Sequence, residues 1–192
     1  MCGIVGYIGI KEAYPVLING LKKLEYRGYD SSGIMLYDKK SSIKKAKGKV
    51  SDLEVLYKNE KEQKGRIGIG HTRWATHGPP NKINSHPHLS NSGYLSLIHN
   101  GIIENYDALR TILYKKGYLF KSETDSEVLV NLIEEVKKTK KVKLGKAVRL
   151  ALKQVVGAYA IVVFDSTNPT EIVTAKLGSP LAIGVGDSEY YI

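Results

Sequence analysis

MCGIVGYIGI, Met1 to Ile10, decides the fold. Ile4-Val5-Gly6-Tyr7-Ile8 reads as a buried strand that starts almost at the N-terminus. Cys2 stands directly before it. Removing Met1 ahead of a small residue leaves Cys2 with a free α-amine beside its own thiol. The amine has a reference pKa near ~8 and the thiol near ~8.5, so a proton passes between them at almost no cost. One residue then supplies nucleophile and base, as in N-terminal threonine hydrolases. The apolar stretch is short and glycine-interrupted, with no basic segment before it and no small-residue cleavage site after it, so it is not a signal peptide.

The rest of the chain is read outward from that strand. A helix with apolar positions Ala13, Val16, Leu17, Leu21 and Leu24 follows, with Pro15 tolerable in its first turn. Ile34 to Tyr37 and Ile43 to Ala46 are expected as paired strands, Leu53 to Tyr57 as a short helix, and Arg66 to His71 and Tyr94 to His99 as strands. Asn105 is expected to cap a helix that Gly117 ends. Thr124-Asp125-Ser126-Glu127 has the form of a capping box and opens another helix. Leu144 to Val156 reads as a further amphipathic helix, and Ala158 to Asp165, Ile172 to Ala175 and Leu181 to Val185 read as strands. Strands come in runs, then helices, then strands again. That order fits α+β, two layered sheets with segregated helices, better than alternating βαβ units. The chain stops on Tyr190-Tyr191-Ile192, which reads as mid-strand and so as a fragment of a longer protein.

Composition narrows the class. The 192 residues are 42% hydrophobic and 25% charged, as in ordinary globular domains. The single cysteine forbids an internal disulfide and fits a reducing, cytoplasmic setting. No run approaches the ~20 apolar residues of a membrane span. The net charge of +10 comes mostly from lysines in three places, Lys39 to Lys49, Lys58 to Lys64 and Lys137 to Lys146. Aromatic residues hardly interleave with them, so a solvated basic surface is favoured over nucleic-acid binding.

Attack on a carboxamide needs donors for the developing oxyanion. His99-Asn100-Gly101, read as the end of a strand, offers an asparagine amide and an uncovered glycine N–H, although a plain turn would look the same. Arg73 can hold a carboxylate with two parallel bonds. Asp125 can take an ammonium, or serve only as helix N-terminal charge. Trp74 reads more readily as core or loop packing than as a wall of the site, and Arg27 as a surface ion-pair partner of Asp30. His77, His86 and His88 match no zinc spacing, so neither metal nor cofactor is expected. Gly65 to Gly70 lacks the context of a phosphate loop.

Taken in order, MCGIVGYIG, LEYRGYDSSG from Leu24, HTRWATHG from His71, NSHPH from Asn84, HNGIIENY from His99, SETDSEV from Ser122 and GSPLAIG from Gly178 carry a resemblance across the whole chain. The sequence resembles the glutaminase domain of the glutamine–fructose-6-phosphate aminotransferases, which are class II glutamine amidotransferases. The resemblance implies a four-layer αββα sandwich of the N-terminal nucleophile hydrolase type, with residues 1–192 as a glutaminase domain followed elsewhere by a sugar isomerase part. It implies Cys2 as nucleophile with its α-amine as base, and Asn100 with the Gly101 N–H as oxyanion hole. Arg73 would grip the carboxylate of L-glutamine and Asp125 its ammonium. Trp74, Thr76 and His77 would line the site, Arg27 would support the N-terminus, and His86 would lie near the site or the partner domain. Fructose 6-phosphate would be the acceptor in a homo-oligomeric full-length enzyme. Other class II amidotransferases share the Cys2 logic but not LEYRGYDS with HTRWATHG and NSHPH. A non-catalytic glutamine-binding module would not need Cys2, Asn100, Gly101, Arg73 and Asp125 together.

Overall fold

The computed structural model describes residues 2–58, 64–74 and 78–192. The chain divides into two compact units, residues 1–87 with 181–192, and residues 88–180.

The first unit is built on a six-stranded antiparallel sheet. Its strands are β1 (Gly3–Ile8), β2 (Ser31–Tyr37), β3 (Ser41–Lys47), β4 (Ile67–Arg73), β9 (Gly184–Gly186) and β10 (Glu189–Tyr191), in the order β3-β2-β4-β1-β10-β9. Helix α1 (Ala13–Leu24) covers it because Ala13, Leu17, Ile18 and Leu21 fall on one face and bury against Val5 and Tyr7 of β1. Pro15 sits in the first turn, where its missing N–H costs nothing, and Lys22 and Lys23 lie in the last turn, where cations suit the helix dipole. Helix α2 (Val50–Val55) adds Val50 and Leu53 to the same core. It starts three residues before the predicted helix, because Asp52 accepts from the Lys49 N–H at 2.8 Å and Glu25 from the Val50 N–H at 2.6 Å.

The second unit has a four-stranded antiparallel sheet of β5 (His88–Leu89), β6 (Leu95–Ile103), β7 (Gly157–Asp165) and β8 (Ile172–Leu177), in that order. Helices α3 (Tyr106–Lys115), α4 (Asp125–Lys140) and α5 (Leu144–Leu152) supply its helical layer. Val128, Leu129, Leu132 and Ile133 of α4 pack with Ala147, Val148 and Ala151 of α5 and with Leu97, Ile161 and Val163 of the sheet. Among the described residues no helix is long and apolar enough to cross a membrane.

Several local expectations need correction. Asn105 precedes α3 but makes no cap bond. Its amide bridges the Gln154 carbonyl at 2.8 Å and the Val156 N–H at 3.0 Å, satisfying backbone that no helix or strand pairs. That segment is also why α5 ends at Leu152 and not at Val156: Val156 turns out to accept from Glu104 N–H beside β6. The capping box is half formed. Thr124 Oγ1 accepts from Glu127 N–H at 3.3 Å, but the Glu127 carboxylate takes the N–H groups of Lys121 and Ser122 instead. Leu181 to Ile183 is not strand, and only Gly184–Gly186 pairs, with β10. The strand bearing His99 runs on to Ile103, so His99-Asn100-Gly101 lies inside β6 and not at its end.

Candidate active site

In the first unit three chain segments meet at one end of the sheet. Gly3 pairs with Thr72, so Cys2 stands just outside the last rung of β1 and β4. Ser31 pairs with Arg73, and the Asp30 N–H donates to the Arg73 carbonyl at 3.2 Å. Cys2 is thereby held by its own strand while its side chain is partly open. The Trp74 N–H donates to Cys2 Sγ at 3.1 Å, and the thiol faces the Trp74 carbonyl at 3.6 Å. Burial pushes the Cys2 thiol above its ordinary pKa, and Asp30 pushes the same way; the Trp74 N–H and Arg73 pull against them. Burial thus disfavours the thiolate at Cys2.

Arg73, only 4% exposed, closes β4 and donates through Nη1 to the Pro79 carbonyl and through Nη2 to the Gly78 carbonyl, both at 3.3 Å. It thereby holds the backbone at Gly78 and Pro79. Trp74 is 48% exposed, and its ring meets Tyr29 edge-on at 5.5 Å between centroids. It is neither core nor fully free, and Tyr29 is a neighbour that sequence reasoning missed. Arg27 ends a 3-10 turn, Glu25–Arg27, and is half-buried. His86 is buried and stacks on buried His71, with ring centroids 4.1 Å apart. The loop carrying it is pinned by Asn84, whose amide donates to the Pro79 carbonyl at 3.0 Å, and by Lys45, which donates to the Ser85 carbonyl at 2.6 Å. Thr76 and His77 lie outside the described residues.

In the second unit Asn100 and Gly101 sit on β6 opposite Ala160 and Tyr159 of β7. Gly101 has φ +135°, and a Cβ there would lie 2.0 Å from the Ala158 carbonyl oxygen. Glycine is obligatory at this point, and the strand is distorted where the candidate oxyanion donors fall. Asp125 is buried at the first position of α4, where the dipole favours an anion. Its Oδ2 accepts from the Ile103 N–H at 2.8 Å, which ties the helix start to β6 two residues beyond Gly101. His99 Nδ1 is 2.9 Å from Ser126 Oγ, and Ser126 Oγ is 3.3 Å from Asp125 Oδ1. His99 and Ser126 were not singled out from sequence; each sits inside a motif whose other members drew the attention.

The chain was compared with known proteins. A family model described as glutamine amidotransferase domain matches residues 51–187. Glutamine--fructose-6-phosphate aminotransferase [isomerizing] of Bacteroides thetaiotaomicron is 56% identical over 194 residues, covering 100% of this chain and 31% of that protein. The protein of the same name from Pyrococcus horikoshii is 48% identical over 193 residues, covering 100% of this chain and 32% of its own length. The chain thus spans about a third of the length of the curated relatives it matches. Among solved structures, glutamine phosphoribosylpyrophosphate amidotransferase from B. subtilis, complexed with ADP and GMP, matches with a TM-score of 0.82. It is 30% identical and covers 99% of this chain and 41% of that one. A glutamine aminotransferase class-II domain protein from Silicibacter pomeroyi, 12% identical with a TM-score of 0.60, shares the fold. These neighbours agree with the expected α+β fold of the N-terminal nucleophile type.

Proposed function

Because this chain belongs to the glutamine amidotransferase domain family, we propose that it hydrolyses L-glutamine to glutamate and ammonia through Cys2, and that the ammonia is made for transfer to a second substrate. The observation that carries the reading is the hold on Cys2: the thiol stands at the head of β1 and accepts the Trp74 N–H at 3.1 Å. That bond stabilises sulfur more as it gains negative charge. Burial disfavours the thiolate, and the α-amine of a chain starting at Cys2 is covalently placed to act as the base that offsets this.

In this reading the amine takes the thiol proton as Sγ adds to the glutamine amide carbon. Asn100 and the Gly101 N–H donate to the oxygen that becomes negative. The tetrahedral adduct collapses as the amine returns the proton to the departing nitrogen, releasing ammonia and leaving a γ-glutamyl thioester. Water then attacks the thioester, giving up its proton to the amine, and glutamate leaves as the thiol is restored. Arg73 grips the α-carboxylate and Asp125 receives the α-ammonium. Trp74, Thr76 and His77 surround the substrate, and Arg27 and His86 support the framework.

We further assign fructose 6-phosphate as the acceptor, to give glucosamine 6-phosphate, with residues 1–192 as the glutaminase part and a sugar isomerase part as partner in a homo-oligomer. The support is the 48–56% identity to relatives of that name, against 30% to the phosphoribosylpyrophosphate enzyme. The test is ammonia release from glutamine with hydroxylamine present. Wild type should yield γ-glutamyl hydroxamate, which traps the thioester, and Cys2→Ala should yield neither product. Ammonia release by Cys2→Ala would refute the reading.

A further inference from the structure

We propose that His99 and Ser126 are positioning residues that fix the orientation of the Asp125 carboxylate, and through it the preference for a substrate with a free α-ammonium. The proposal rests on the reading above in which Asp125 receives that ammonium.

Three buried polar side chains stand in a row: His99 at 3%, Ser126 at 2% and Asp125 at 4% exposure. Ser126 Oγ carries one proton. Asp125 Oδ1, at 3.3 Å, is a charged acceptor within its reach. With that proton given to the carboxylate, Ser126 Oγ accepts from His99, whose Nδ1 lies at 2.9 Å and then carries the hydrogen. In the proposal the chain has one polarity: His99 donates to Ser126, and Ser126 donates to Asp125. The other carboxylate oxygen is held from a second direction by the Ile103 N–H at 2.8 Å.

The helix dipole favours a carboxylate at this position but does not choose its rotamer. Two bonds, one to each oxygen, do choose it, and they leave the remaining lone pairs pointing in fixed directions. His99 immediately precedes Asn100 on β6, and Ile103 lies on the same strand. The strand that offers the candidate oxyanion donors therefore also aims the candidate ammonium acceptor at the start of α4. A hydroxyl is required at 126 because both a donor and an acceptor are needed in one small buried side chain. An Nδ1-type donor is required at 99.

The test is steady-state ammonia release by the full-length protein with glutamine and with glutaramate, which keeps the carboxylate and the amide and lacks the ammonium. Wild type should prefer glutamine. In Ser126→Ala, kcat/KM for glutamine should fall about tenfold, mostly through KM, the loss expected for one hydrogen bond to a charged group. Use of glutaramate should stay within about twofold, so the preference collapses. His99→Leu should behave alike, and His99→Asn, whose amide nitrogen can replace the Nδ1 donor, should recover most of the preference. Should Ser126→Ala not fold, the two His99 variants carry the same comparison. Parallel losses on both substrates with the preference unchanged, whether or not the unfolding temperature drops, would make the triad a fold clasp and overturn the proposal. If wild type shows no preference, or Asp125→Asn keeps it, the assignment of Asp125 itself fails and takes the proposal with it.

Discussion

Alanine substitutions at three glycines should separate backbone strain from steric overlap. At Gly145, on α5, a Cβ would meet nothing within 4 Å and φ is ordinary. Alanine there should stabilise the protein by about 0.5–1 kcal/mol, because the unfolded chain loses freedom. At Gly117 φ is +89° and the space is again open, so alanine carries only the left-handed penalty, about 1–2 kcal/mol. At Gly101 the positive φ is joined by an oxygen at 2.0 Å and two further backbone atoms within 2.9 Å. Backbone cannot swing aside as a flexible side chain can, so an overpacking cost of about 1–3 kcal/mol is added to the strain. The sum is about 2–5 kcal/mol. At about 2–4 °C per kcal/mol for a chain of this size, Gly101→Ala should unfold roughly 4–20 °C below wild type. Thermal unfolding of the three variants, with glutamine turnover measured alongside, gives the order Gly145→Ala above wild type, then Gly117→Ala, then Gly101→Ala. A Gly101→Ala protein as stable as Gly117→Ala would refute the claim that the Ala158 carbonyl forces glycine onto this strand.

Asn100→Ala should lower kcat by about two to three orders of magnitude while KM for glutamine changes little, the signature of a lost oxyanion donor. Arg73→Lys should weaken glutamine use by about tenfold or more, because lysine keeps the charge but cannot serve the Gly78 and Pro79 carbonyls and a carboxylate with one planar fork; unchanged kinetics would place the carboxylate elsewhere. Glu189 ties β10 to β1 by accepting from Tyr7 Oη and Lys11 Nζ, both at 2.8 Å, and Lys11 first, then Tyr191 and Tyr7, hold its carboxyl below the usual range. Its contribution is therefore full above the unfolded carboxylate pKa and is lost as pH falls through the lower folded value. Glu189→Gln should remove that acid-dependent part of stability, so that the fall of unfolding temperature below about pH 4.3 is shallower than in wild type.

Much of this was legible in the sequence where one local rule had no competitor. The first strand, α1 with Pro15 in its opening turn, and the β2–β3 pair follow from apolar periodicity alone. The failures came where long-range partners outbid local ones. Asn105 has the right identity for a cap, but backbone groups 49 and 51 residues away take its amide. Glu127 sits at capping-box spacing, yet the loop at 121–122 offers it two N–H groups and a hydroxyl. Glycine at 101 suggested a strand end, but its positive φ allows β6 to continue through a distortion that no other residue accepts. For the candidate site, residue types and motif order pointed to Cys2, Arg73, Asn100, Gly101 and Asp125. Sequence does not carry which side chains lie behind them: that His99 reaches a serine 27 positions on is a matter of sheet-to-helix packing.

The central claim is that Cys2 works with its own α-amine. It is tested most directly by measuring glutamine hydrolysis alongside intact mass in two preparations, one starting at Cys2 and one bearing an added N-terminal residue that cannot be removed. The blocked chain keeps its thiol and its Trp74 bond but has an amide where the base should be. The account predicts ammonia release from the preparation that starts at Cys2 and a loss of at least about a hundredfold in the blocked one, the lower range for a missing general base. Equal rates from the two would contradict it.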